Sequence, residues 1–354
     1  MKTMNLKNLL ILTVMTSFSA ACSKMTFTPV VTTEAASSAP TNAVSFSQVV
    51  GYGNKQVDFL VVFDDSNSML PDLKKLAASL GDFVGSLETS GIDWQMCMTT
   101  TRAMNNQWGF SADWTGYTPP SGTPAYLLKK GTANLTSIFE NTVNAMAIGG
   151  TGSADERGLK ATYNHFALAN SNGCYRAGAA VSVILVSNED ERSVGGDASK
   201  MKAGDAAGSL LPLEAEDMPD NVIAMAKQKF GNDIRFTFNS IIVKPNDKSC
   251  EAMQDAASAS PSHEGVIYDQ LSVKTEGGVG SICDSSFATT LNTFRDKIVN
   301  SMTHMTLQCV PVAGSVKIGI NGANFTQFKV EGNILKFNSA LVEGTKIDLA
   351  FDCP

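Results

Sequence analysis

Two polar clusters carry the residue types that could hold a hard cation. The first, FDDSNS at 63–68, places Asp64, Ser66 and Ser68 at alternate positions directly after the apolar run VDFLVV. A turning loop with this spacing aims one carboxylate and two hydroxyls at a single point. Such oxygen donors suit Mg²⁺, Mn²⁺ or Ca²⁺, and a low carboxylate count leaves a divalent ion short of neutralisation and receptive to an incoming anionic oxygen. The second, SNEDERS at 187–193, follows AAVSVILVS (179–187), the strongest strand candidate in the chain. It adds Asn188, Glu189 and Asp190. Without a cation, FDDSNS reads as a turn with a helix N-cap, since Asp and Ser are favoured there, and SNEDERS as a solvated loop.

Positioning both clusters requires strands that end side by side. Val57 to Phe63 is the continuous apolar run of a strand covered on both faces. After it, Leu73, Leu76, Leu80, Phe83, Val84 and Leu87 recur at helical spacing. DWQMCMTTT (93–101) is a second strand, with Met96 and Met98 in the core. A Pro/Gly-rich loop at 115–124 precedes a helix over Leu135 to Met146. Downstream, DNVIAMAKQKF predicts helix, IRFTFNSIIV strand, the next stretch a polar loop, YDQLSVKTEGG helix, VGSIC a short strand and 285–302 a final helix. This alternation predicts an α/β fold with a doubly wound, mainly parallel sheet, in which ligands gather at the carboxyl ends of the strands. His165 reads as packing on a helix. The aromatic stretch WGFSADWTGY (108–117) is either a contact loop at the site rim or an ordered loop with a small core of its own. From 309 onward, short alternating runs separated by NG, EGN and EG predict a small antiparallel unit.

An apolar strand, D-x-S-x-S and an amphipathic helix together resemble the first motif of the von Willebrand factor A domain with its metal-ion-dependent adhesion site. The resemblance covers roughly residues 55 to 305 in element order, and implies a Rossmann-like fold with Asp64, Ser66 and Ser68 as metal ligands. The family's second motif, a helix-capping threonine, falls in GGTGSADERGL (149–159). Aligning apolar positions puts Ser153 there, with Thr151 as the alternative; Ser153 and Glu156 also fit a capping box. The third motif, usually Thr-Asp-Gly, here reads Ser187-Asn188-Glu189-Asp190. Asn188 replaces the family aspartate, so this loop's contact comes from Asn188, Glu189, Asp190 or a water. Mg²⁺ is the expected cation, with Ca²⁺ or Mn²⁺ as alternatives and the extra acids favouring Ca²⁺.

The first 22 residues combine Lys2 and Lys7 with an apolar stretch and end in small residues before Cys22, the pattern of an export signal. That end resembles a bacterial lipobox, although Ser19 stands where the family carries Leu. Cys22 is therefore the expected lipidation site, and Ser23 after it accords with outer-membrane sorting. The alternative is an ordinary signal peptide cut near Ala21. Residues 23–50 read as a flexible tether, 51–308 as the metal-binding domain and 309–354 as the β unit. The layout is similar to lipoproteins of predatory and social deltaproteobacteria. Setting Cys22 aside leaves six of seven cysteines, an even number consistent with disulfides in an exported protein. Cys309 with Cys353 brackets the β unit, and Cys97–Cys174 and Cys250–Cys283 are the other expected pairs, although spacing alone does not set connectivity.

Hydrophobic residues at 43% and charged residues at 17% describe a chain able to bury a core. Losing Lys2 and Lys7 with the signal takes the net charge from −7 to −9, which disfavours nucleic acid or an anionic lipid surface. No CxxC pair occurs and three histidines are scattered, which disfavours zinc and thiol-redox sites. The absence of GxSxG, HExxH and P-loop signatures argues against an enzyme, a metal-dependent hydrolase being the remaining catalytic alternative. The expected function is a surface-anchored adhesin that binds a protein or glycan carboxylate through its cation. An envelope scaffold with a degenerate site is the alternative.

Overall fold

The computed structural model describes residues 42–354, apart from 50–55, 105, 150–152, 154, 170–172, 206–211, 233, 258–260, 302–303, 340 and 342–343. Strand β1 (Asn42–Val49) belongs to the C-terminal unit. The six-stranded sheet that follows has the order β4-β3-β2-β5-β6-β7. Its parallel strands are β2 (Gln56–Phe63), β3 (Asp93–Thr100), β5 (Ala180–Val186), β6 (Phe236–Ile242) and β7 (Val279–Ser281). A two-residue antiparallel edge, β4 (Leu128–Lys129), closes one side.

Alternate residues of β2 serve opposite faces, because successive side chains on a strand point oppositely. Phe59, Val61 and Phe63 pack with α1 (Leu70–Thr89), α2 (Leu135–Gly149) and α7 (Ala288–Ser301), the last in chain order. Leu60 and Val62 face α3 (Gly158–Ala167), α4 (Pro219–Phe230) and α6 (Val266–Lys274). Burying the strand on both sides is what makes its sequence read as an unbroken apolar run. Met96 and Met98 are core residues. His165 is buried, with Ser111 at 2.9 Å and Tyr175 at 2.6 Å from its ring nitrogens. Trp114 in the aromatic loop is also core, edge-on to Phe63 and Phe139, whereas Phe110 is exposed.

Helix α5 (Lys248–Ala257) occupies a stretch expected to be polar loop. Its buried positions, Cys250, Glu251 and Gln254, do have helical spacing. Two of the three are polar, so no apolar periodicity announces the helix. Cys97–Cys174 ties β3 to the segment before β5, and Cys250–Cys283 ties α5 to the segment after β7.

The C-terminal unit packs two small sheets. One has the order β1-β13-β9-β10, with β9 (Lys317–Ile320), β10 (Ala323–Phe325) and β13 (Lys346–Cys353). The other has the order β11-β12-β8, with β8 (His304–Thr306), β11 (Phe328–Glu331) and β12 (Ile334–Phe337). Val44, Leu307, Ile318, Leu335, Leu349 and Phe351 share its core, and Cys309–Cys353 joins its ends. Two expected boundaries change. Residues 42–49, assigned to the tether, pair along β13 from Asn42↔Cys353 to Val49↔Lys346. The unit also begins before 309, since β8 pairs with β12. Cys22 and the rest of 1–41 lie outside the described residues. Among the described residues no helix is long and apolar enough to cross a membrane.

Candidate metal centre

β2 and β5 are neighbours at the point where strand order reverses, with β3 on one side and β6 on the other. Their carboxyl ends deliver the two polar clusters to one place. The Asp64 N–H donates to the Val186 carbonyl at 3.1 Å, extending the β2–β5 register one residue into the loop. The Asp64 side chain is fully buried. One of its oxygens accepts from the Ser66 N–H at 3.0 Å and the other from the Ser187 hydroxyl at 2.7 Å. Ser66 and Ser68 hydroxyls stand 2.9 Å apart and are half-buried. Residues 67–69 then form a short 3-10 turn that runs into α1, with Pro71 in its first turn. Alternate residues of the loop therefore turn one carboxylate and two hydroxyls to the same side.

Further oxygen atoms lie near this loop, one of them from Asn188, expected from the sequence to serve a cation, and the others from Glu156 and Asp65, which were not. Glu156, just before α3, is fully buried and accepts a hydrogen bond from the Thr101 hydroxyl at the end of β3. Its other oxygen, Oε1, is buried with no hydrogen-bond partner, as are Asn188 Oδ1 and Asp65 Oδ1. A buried oxygen without a donor costs on the order of 1–3 kcal/mol. Asp65 Oδ2 is held by Arg102 Nε at 2.6 Å. Ser187 Oγ also accepts from the Glu189 N–H at 3.1 Å, which folds the 187–189 turn against Asp64.

Burial raises the acids of this cluster. Asp64 is pushed up to about 6, chiefly by burial, against the hydrogen bonds from Ser187 and Ser66. Glu189 rises to about 8, through burial and then the Asp64 charge. Glu156 is raised well above the ordinary range by burial, then by the charges of Asp64 and Glu189. Several carboxylates are thus near enough to oppose one another's ionisation, which is the electrostatic condition that a bound cation relieves.

Two of the other expected ligands, Asp190 and Ser153, are engaged elsewhere. Asp190 is buried, but its carboxylate accepts from the Glu191 and Ile267 N–H groups, both at 2.9 Å, and serves the start of α6. Ser153 makes a local turn with the Asp155 backbone, and α3 begins at Gly158 with Arg157 as an N-cap that makes no side-chain cap bond, so the expected Ser153–Glu156 capping box does not form. The Leu159 and Lys160 N–H groups of that helix are taken instead by Glu191, at 2.7 and 3.1 Å. Thr151 lies outside the described residues. Asn188 is buried with its amide nitrogen 3.5 Å from Gln254 Oε1. The loop's tension shows at Arg192 and Ser193, both with φ near the left-handed region, at 54° and 65°.

A hard divalent cation fits this donor set. Asp64, Ser66 and Ser68 supply oxygens of the appropriate type, Glu156 is close enough to feel the charges of Asp64 and Asp65, and Glu156, Asn188 and Asp65 each keep a buried oxygen without a donor. Among the described residues no three His, Cys, Asp or Glu side chains converge as metal ligands. Hydroxyls must therefore carry much of any coordination.

No family model and no curated protein matches the chain. Solved structures resemble it at low identity. The pilus adhesin SpaC of Lactobacillus rhamnosus GG aligns over 88% of this chain and 41% of its own, at 11% identity and TM-score 0.35. Proximal thread matrix protein 1 of the mussel byssus, with a zinc-occupied MIDAS motif, aligns over 75% and 52%, at 12% identity and TM-score 0.34. Human Sec24c, a COPII-coat protein, aligns over 87% and 41%, at 9% identity and TM-score 0.40. The chain thus spans about half or less of the length of these proteins.

Proposed function

We propose that this protein is a non-enzymatic, cation-dependent adhesin or ligand-binding module. Its site is Asp64, Ser66 and Ser68, with the 187–189 turn beside them, and its ligand is a protein or glycan carboxylate. The observation that carries this reading is the buried Asp64, fixed by Ser187 across the strand switch, next to paired serine hydroxyls and partnerless buried oxygens. When bound, a divalent cation supplies an electrophilic position for one ligand oxygen. Asp64 contributes the charge, Ser66 and Ser68 contribute neutral donors, and the low ligand charge preserves the pull on an acidic partner. Mg²⁺ is the first choice, with Ca²⁺ and Mn²⁺ to be compared.

Calorimetric titration of the purified chain with Mg²⁺, Mn²⁺ and Ca²⁺ tests the site. Wild type is expected to bind at least one of them, with Asp64→Ala losing a hundredfold or more, on the order of 3 kcal/mol. Retention of cell-envelope fractions is expected to vanish with chelator and with Asp64→Ala alike. Retention that survives both supports an envelope scaffold instead.

The anchor is proposed to be a lipid on Cys22, placing the head at the outer membrane. Metabolic labelling with radioactive palmitate should mark wild type and not Cys22→Ser. Equal labelling of both removes the anchor.

A further inference from the structure

We infer that Arg102 is a second anchor for the ligand, so that the preferred partner presents two neighbouring carboxylates, one for the cation and one for this guanidinium. The inference rests on the cation-bridged reading above and concerns a residue outside the metal loop. β3 lies parallel to β2 with Thr100 opposite Phe63, and the Thr101 N–H donates to the Phe63 carbonyl at 2.9 Å. Arg102 therefore emerges one strand spacing, about 5 Å, from the loop that carries Ser66 and Ser68. Its backbone carbonyl accepts from the Thr100 hydroxyl at 3.3 Å, which tightens the turn after the strand.

The side chain is oriented by its inner nitrogen. Nε donates to Asp65 Oδ2 at 2.6 Å, and Asp65 is nearly buried, whereas the Arg102 side chain keeps 33% of its surface exposed. A guanidinium gripped at Nε holds its two outer amino groups in a fixed plane, the fork that matches a carboxylate bidentately. Asp65, which adjoins Asp64, thus links this fork to the metal loop and limits the side chain's rotational freedom. Arg157 and Arg192, by contrast, are paired with Asp217 and Asp155 and are almost fully buried. They do not offer comparable forks.

A peptide with two adjacent aspartates, a matched peptide with one aspartate and one asparagine, and Mn²⁺-loaded full-length protein form the test. Wild type should bind the two-acid peptide more tightly, and Arg102→Gln should lose about tenfold for it while changing the one-acid peptide less than twofold, as expected for one charge-assisted pair. Arg102→Lys should recover part of the loss. Both peptides are compared at saturating Mn²⁺ for each variant, so that a change in cation affinity affects both alike and does not enter the peptide selectivity. The double variant Asp65→Asn/Arg102→Gln, which removes the stranded acid as well, guards against a folding defect and should reproduce the peptide selectivity of Arg102→Gln. Equal losses for both peptides, or no loss, overturn the role of Arg102 and leave the cation reading intact. If wild type binds neither peptide in Mn²⁺ but does bind Mn²⁺, the carboxylate-ligand premise falls and this inference with it.

Discussion

Burial at the head of the sheet converts ordinary acids into groups that await a counter-charge. Glu189 shows the consequence for stability. Its carboxyl is moved from 4.5 to about 8 by burial and by the Asp64 charge, so the folded, cation-free protein holds this proton more tightly than the unfolded chain does. That contribution is complete below about pH 4.5 and is lost as pH rises through about 8. In chelator, Glu189→Gln should therefore gain in melting temperature relative to wild type as pH rises from about 5 to 8. With saturating Mn²⁺ the order should narrow or reverse, because the cation stabilises the ionised acid in wild type only. A wild-type and variant difference that stays flat with pH in chelator contradicts the buried-acid account.

At the scale of elements, α3 must approach β5 closely enough to bring Glu156 beside the metal loop. Gly158 makes this possible: a Cβ there would lie 2.2 Å from Leu185 Cδ1 and 3.1 Å from the Tyr268 ring. The Gly158 N–H is also satisfied by the Tyr268 hydroxyl at 3.2 Å. Gly158→Ala should displace the helix start and cost about 1–3 kcal/mol by overpacking, a fall of roughly 5 °C in melting temperature. If displacement of α3 is the cause, the same variant should bind Mn²⁺ more weakly. The helix boundary itself was not legible in the sequence. Ser153 with Glu156 satisfies the capping-box pattern, but Glu191, distant in sequence, holds the helix N–H groups, leaving Glu156 to turn towards Thr101.

For the whole molecule, the chain before the parallel sheet and the chain after it form one unit. β1 covers β13 over eight residue pairs and contributes Val44 and Phe46 to a core otherwise drawn from the C-terminal stretch. A chain beginning at residue 50 should lower the unfolding temperature of the β unit and expose Cys309–Cys353 to reductant sooner. Mn²⁺ binding by the six-stranded sheet should be retained, since Asp64, Ser66 and Ser68 follow β2, which belongs to a different sheet from β1 and β13. Loss of cation binding in the truncated chain would instead show that the two parts fold as one cooperative body.

By itself, the sequence determined the parallel sheet with its amphipathic helices and the position of the Asp64 loop after a buried strand. It also determined the antiparallel character of the tail. These are local properties: an apolar run covered on both faces, a 3.6-residue period and an alternating period are written in consecutive residues. Tertiary structure alone decided which oxygens meet. Asp190 and Glu191 are adjacent in a loop expected to serve the cation, yet each caps a different helix, because helix starts present partnerless N–H groups that a buried carboxylate can satisfy. Glu156, Thr101 and Arg102 come to the site from other segments through the β2–β3 register and the approach of α3 to β5. Likewise Asn42–Val49 looks like tether in a chain rich in Ser, Thr and Ala, and becomes strand only because β13 offers an edge. No spacing within the sequence encodes those encounters.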